Sequence, residues 1–182
     1  MLRLAEIADT PEGVYRRIER VGSGVAIVSC SLRPGRDVTG RAFHWRLKKT
    51  IVPLLDISLG VDGGLQRLKC TLMSDVEQIR EELRSPSDIR RGRPVFDTAL
   101  WKAELTDKNF GERFVDENGT AGVKWIAQND LWVCLNAISA PSIECAIHDS
   151  LSLLFDDRLG LAGVVFREVS TEEKRRTIGL PP

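Results

Sequence analysis

Only two histidines, His44 and His148, occur in the 182 residues, so acid–base chemistry at neutral pH has few candidates. No apolar run approaches the ~20 residues that a membrane-spanning helix needs. The four cysteines contain no Cys-x-x-Cys pair, so the usual zinc-ligand spacing is missing. No serine stands in a Gly-x-Ser-x-Gly turn, and no Asp-x-Asp-x-Asp-Gly loop offers a calcium site. Gly60-Val61-Asp62-Gly63-Gly64 is rich in glycine, but it lacks the lysine of a phosphate-binding loop and leads into a strand pattern. Net charge is absent too: 26 Lys and Arg balance 26 Asp and Glu, which speaks against a dedicated nucleic-acid binder. No low-complexity linker divides the chain, and one globular domain over residues 1–182 is expected. The opening Met1-Leu2-Arg3-Leu4-Ala5-Glu6 places charge where a secretory signal has apolar residues. A cytoplasmic protein with reduced cysteines is the expectation.

What the chain does contain is the pattern of hairpins. Leu55, Ile57 and Leu59 alternate with Asp56 and Ser58, the period of a half-buried strand. Val61 to Gly64 supplies a tight turn, and Leu68, Cys70 and Leu72 alternate with Lys69 and Thr71 on the way back. Ser74-Asp75-Val76-Glu77 then reads as a capping box, with Val76, Ile79 and Leu83 on one helical face. The unit from Pro53 to Leu83 is strand, turn, strand, short helix. It is echoed 96 residues later by Leu151, Leu153 and Phe155, a turn from Asp157 to Gly160, Val164 and Phe166, and Ser170-Thr171-Glu172-Glu173. The identical pairs, Leu55/Leu151, Gly64/Gly160, Leu65/Leu161, Ser74/Ser170 and Glu77/Glu173, are common residue types. Any two hairpin-then-helix segments share that much, so the match does not by itself argue duplication.

Elsewhere, Thr10-Pro11-Glu12 has the chemistry of a helix start, and Val14, Ile18 and Val21 form a helical stripe after it. Val25 to Cys30 reads as a buried strand. Phe43, Trp45 and Leu47 alternate with His44, Arg46 and Lys48, giving a strand with one basic face. Arg84 to Pro94, with three Pro or Gly and four arginines, reads as a mobile loop. Glu117 to Thr120 is a turn leading into Val123 to Ala127, and Gln128-Asn129-Asp130 turns that strand back into Leu131 to Leu135. The result is a hairpin with Trp125 on one arm and Trp132 on the other. The fold class that follows is α+β: a single domain rich in antiparallel strands and hairpins, with a few short helices.

Charge is spread unevenly along the chain. Residues 1–50 hold ten Lys and Arg against five Asp and Glu, whereas residues 101–150 hold four against eight. If these segments lie on different faces, the protein has a basic side and an acidic side that steer charged partners. Glu112, Asp116 and Glu117 with Trp125 and Trp132 are the candidate docking set for a basic protein partner. Arg84, Arg90, Arg91 and Arg93 form a secondary basic patch. His148 beside Asp149 lacks the geometry of a working pair on a strand, because neighbours point to opposite faces. Cys134, Cys145 and His148 have metal-ligand types, but apolar strand positions make core packing the better reading of the cysteines. No catalytic residue, metal ligand or cofactor is assigned.

The run of Pro53, Asp56, a glycine turn, Leu65 and Ser74-x-x-Glu77 resembles hairpins of small bacterial proteins, some of them immunity proteins that neutralise a toxin. The segment from Gly160-Leu161 to Glu173 is similar to the closing segment of such chains. The resemblance implies a small soluble, non-enzymatic binding protein that docks on or masks a protein partner, a basic toxin among the candidates. The alternative is a small enzyme or ligand-binding domain with a carboxylate and arginine cleft. A concave site around His148 favours that alternative; a flat charged face with exposed aromatics favours the binding protein.

Overall fold

The computed structural model describes residues 1–21, 25–32, 42–49, 52–73, 77–78, 86–101, 113–126, 129–135 and 141–176. Among these residues the protein is almost wholly β, with one short helix, α1 (Thr171–Arg176). The expected α+β class is therefore corrected to a β-rich fold of three sheets. β1 (Leu4–Ala8) and β9 (Arg93–Phe96) form a two-stranded sheet. The six-stranded sheet runs β10 (Phe114–Asn118), β4 (Phe43–Lys48), β5 (Pro53–Leu59), β6 (Leu65–Met73), β3 (Val25–Leu32), β2 (Val14–Arg20). The seven-stranded sheet runs β7 (Glu77–Gln78), β11 (Ala121–Ile126), β12 (Asp130–Leu135), β15 (Leu161–Phe166), β14 (Leu151–Phe155), β13 (Ile143–His148), β8 (Asp88–Arg91). No helix among the described residues is long and apolar enough to cross a membrane.

Alternation builds the core. β3 buries Ala26, Val28, Cys30 and Leu32 and leaves the residues between them half-exposed; β4 does the same with Phe43, Trp45 and Leu47. Ile57 and Leu68, paired across β5 and β6, are fully buried. From the seven-stranded sheet, Leu131, Leu153, Val164 and Phe166 join the same continuous cluster. The two large sheets thus share one core, each buried aliphatic side chain contributing ~1.5–3 kcal/mol against exposure.

Three local expectations are overturned. The N-terminal helix is the strand β2, in which Val14, Arg16 and Ile18 point one way and Tyr15, Arg17 and Glu19 the other. Val14 and Ile18 are four apart, a spacing that suits a helix face and a strand face alike. The arginine between them hid the strand. Arg16 is only 12% exposed and clasps the other end of the chain. Its guanidinium donates to both carboxylate oxygens of Glu173, each at 3.0 Å, and to the carbonyls of Arg167 at 2.5 Å and Glu168 at 3.1 Å. A charge pointing inward on an edge strand also discourages pairing with another chain. Second, Glu77 and Gln78 form β7, paired parallel to β11, where a helix was expected; Ser74 to Val76 and Ile79 to Leu83 lie outside the described residues. Third, the supposed loop from Arg84 to Pro94 contains β8 and the start of β9, the first paired parallel to β13 and the second antiparallel to β1. The C-terminal capping box is present as read: Ser170 Oγ accepts from the Glu173 amide, and Glu173 Oε2 accepts from the Ser170 amide.

The echo at 96 residues extends to the backbone. In the β5–β6 turn the Gly60 amide donates to the Gly64 carbonyl and Gly63 to Gly60; in the β14–β15 turn Asp156 donates to Gly160 and Leu159 to Asp156. Gly63 and Leu159 both take positive φ, 76° and 63°. Each hairpin carries its register shift at the matching place, Ser58/Leu59 and Leu154/Phe155. The strand orders β2-β3-β6-β5-β4 and β11-β12-β15-β14-β13 correspond throughout. At the join, the Phe96 amide donates to Gly63 and the Leu4 amide to Leu159, while Leu4 and Phe96 pair with each other. That is the geometry of an internal two-fold repeat. The resemblance between the two hairpins is architectural, and the five identities understated it.

Candidate functional site

Among the described residues, the acidic and basic segments meet instead of forming opposite sides. β10 lies parallel to β4, and Asp116 faces Arg46 across the pair. Arg46 Nε donates to Asp116 Oδ1 at 2.6 Å, and Lys48 Nζ binds the other oxygen. Burial pushes the Asp116 carboxyl up, but Lys48 and Arg46 outweigh it and hold it below its ordinary range. Glu117 Oε2 accepts from the indole N–H of buried Trp45 at 3.0 Å and meets the Met1 amino group at 2.9 Å. Both carboxylates are bound within the protein. Trp132 is 2% exposed, in a small cluster with Cys134, Leu154 and Val165. Its indole N–H has no hydrogen-bond partner among the described residues. Trp125 is placed by its backbone on β11, opposite Leu131. Glu112 and Arg84 lie outside the described residues. Of the other arginines, Arg90 is paired with Asp88 at 2.6 Å, Arg93 with Asp62 at 2.6 Å, and Arg91 more loosely with Asp149 at 3.8 Å.

Among the described residues, the residue types of a nucleophilic triad meet at His44, Ser58 and Asp56. Ser58 Oγ lies 3.2 Å and Asp56 Oδ1 3.4 Å from the same ring nitrogen, Nδ1. A working triad puts its serine and its carboxylate on opposite nitrogens of the imidazole. The His44 ring instead stacks on Phe114 at 4.7 Å between centroids, and Arg46 caps that phenyl at 4.4 Å. His148 Nδ1 lies 3.2 Å from the Ser150 amide and 3.0 Å from the Ser150 hydroxyl, and the side chain is exposed. Asp149 turns to Arg91, away from the imidazole. Cys134 and Cys145 belong to separate clusters on opposite faces of the seven-stranded sheet, too far round to share a metal ion. All four cysteines are buried, and none forms a disulfide. Burial pushes the thiols of Cys30, Cys70 and Cys145 up to about 12.

One surface was missed. On the outer face of the six-stranded sheet, over β2, β3 and β6, Ser29 stands opposite Lys69 and Ser31 opposite Arg67. Tyr15 flanks Ser31 and is 67% exposed; Arg17 flanks Ser29 and pairs with Glu19. Arg67 and Lys69 have no ion-pair partner among the described residues. The alternation of Arg67 and Lys69 with Leu68 and Cys70 was readable. Their meeting with Ser29 and Ser31 was not, since β3 and β6 pair across two intervening strands.

The internal repeat gives this surface a counterpart. Through the matched registers, Ser29, Ser31, Arg67 and Lys69 correspond to Trp132, Cys134, Gly163 and Val165. Trp132, Cys134 and Val165 are buried and apolar; their equivalents Ser29, Ser31 and Lys69 are polar and half-exposed. No family model matches the chain, and no curated protein matches it either.

Proposed function

We propose that the chain is a non-enzymatic binding protein that docks a protein partner through the outer face of β2, β3 and β6. The contrast between equivalent positions carries this reading. Where one sheet buries Trp132 and Val165, the other presents Ser29 and Lys69, polar and ungrouped with any core. The face is charged and bordered by exposed Tyr15, features that suit a docking platform. The resemblance to toxin-neutralising immunity proteins fits such a role. The charge of the face selects an acidic partner; Asp116 and Glu117, engaged by Arg46, Lys48 and Trp45, are poorly placed to hold a basic one.

A photo-crosslinking residue placed at Ser31 tests this in the cell that makes the protein. A discrete protein adduct from Ser31, absent when the same residue is placed at exposed Val61, is expected. No adduct from Ser31, or equal adducts from both positions, overturns the reading.

A further inference from the structure

Ser29, Ser31, Arg67 and Lys69 form a two-by-two block, two residues on β3 facing two on β6. Neighbouring strands lie about 4.8 Å apart and same-face residues on one strand about 6.7 Å apart, so the block frames roughly 5 by 7 Å. That area matches a single carboxylate or phosphate group. Both strands are internal to the sheet, which fixes the backbone under the block from both sides. Competing acids are engaged elsewhere: Asp56, opposite Lys69, reaches His44 Nδ1, and Glu19 holds Arg17. Ser29 Oγ makes a long contact, 3.4 Å, to the Arg17 carbonyl, and Ser31 stands between Arg67 and exposed Tyr15.

We infer that this block recognises the oxyanion of an acidic protein segment, which names the chemistry of the partner and rests on the docking reading above. The Arg67 guanidinium takes two oxygens in its planar fork, Lys69 adds a compact charge, and the Ser31 hydroxyl donates beside them. Tyr15 packs on the segment's aliphatic carbons at the rim.

The test is a low-salt titration followed by amide NMR and fluorescence anisotropy. The probes are a labelled decapeptide of alternating Glu and Gly, the same peptide with a central phosphoserine, and a twelve-residue oligothymidylate. Both peptides are expected to shift the amides of Ser29, Ser31, Arg67 and Lys69. Affinity should fall at least tenfold in Arg67→Gln/Lys69→Gln, whose altered side chains stand on the polar face, and stay level in Arg90→Gln/Arg91→Gln. A phosphopeptide tenfold tighter than its Glu parent assigns the site to a phosphorylated partner; equal binding assigns it to carboxylates. Tighter binding of the oligothymidylate than of either peptide overturns the inference in favour of a nucleic-acid surface. Peptide shifts elsewhere, or affinity unchanged in the double variant, overturn it outright. A Ser31 adduct that persists in the double variant leaves docking standing and removes the oxyanion site. Absence of the adduct from the otherwise wild-type chain removes the docking reading, while the titration still decides the chemistry of the block.

Discussion

Removing the Arg16 clasp should cost a large share of the stability. Arg16 and Glu173 are 12% and 23% exposed, between the exposed pairs that contribute ~0–1 kcal/mol and the buried ones whose breakage costs ~3–5 kcal/mol. The guanidinium also satisfies the carbonyls of Arg167 and Glu168, which lose a charged donor in Arg16→Ala. The expected loss is about 2–3 kcal/mol, read as a lower urea midpoint by tryptophan fluorescence at pH 7. In a double-mutant cycle with Glu173→Gln, about 1–2 kcal/mol of coupling should appear. The pair also has a pH signature. Burial works to raise the Glu173 carboxyl, but Arg16 and the Ser170 amide outweigh it, so it lies below its ordinary value of 4.5. A lowered folded-state pKa means the stabilisation is complete above 4.5 and disappears as pH falls through the lower folded value. The gap between wild type and Glu173→Gln should therefore be full at pH 7 and close below 4.5. A loss under ~0.5 kcal/mol for Arg16→Ala, or no coupling to Glu173, would refute the clasp.

Ile57, fully buried between β4 and β6, should lose ~2–5 kcal/mol on change to alanine; a loss below ~0.5 kcal/mol in a denaturant titration would place that strand in water. The two matched turns should answer oppositely to substitution: Gly63→Ala, whose new carbon would meet the Phe96 carbonyl at 2.4 Å, should cost about 2 kcal/mol or more. Leu159→Gly, at the equivalent positive φ, should leave stability level or raise it by up to about 1 kcal/mol, and a clear loss would show that the leucine packs productively. The cysteines should resist iodoacetamide in the folded protein at pH 8 and react on unfolding, since burial holds three of the thiols near 12; native-state alkylation followed by mass spectrometry checks this.

Where strand alternation was local and uninterrupted, the chain was legible. β3, β4, the β5–β6 and β14–β15 hairpins, and the β11–β12 hairpin all lie where their apolar residues alternate or run together between turn residues. β2 was not legible, because Arg16 occupies an inward position that only a distant glutamate makes tolerable. β8 was hidden for a similar reason: Asp88-Ile89-Arg90-Arg91 is polar and mostly exposed, and it is a strand because β13 offers it an edge. The same non-local pairing decided the site. Asp116 and Glu117 look free in sequence, but β4, some seventy residues earlier, pairs Asp116 with Arg46 and Lys48 and bonds Glu117 to the Trp45 indole. Arg67 and Lys69 look like an ordinary solvated face until β3 brings two hydroxyls beside them.

The internal repeat is interlocked, and this constrains how the chain can be made. β10, from the second half, lies on β4 of the first; β7 and β8, from the first half, lie on β11 and β13 of the second. The helix after β15 is tied to β2. Synthesis proceeds from the N-terminus, so the six-stranded sheet leaves the ribosome without its β10 edge and waits for residues 114–118. Its other edge strand gains its anchor only when Glu173 emerges, near the last helix. Sequence-distant partners of this kind make folding slow, because long loops must close before their contacts contribute. The nascent first half exposes two strand edges throughout that interval, so a chaperone that shields unpaired β-edges should raise the folded yield more than one that acts on the released chain.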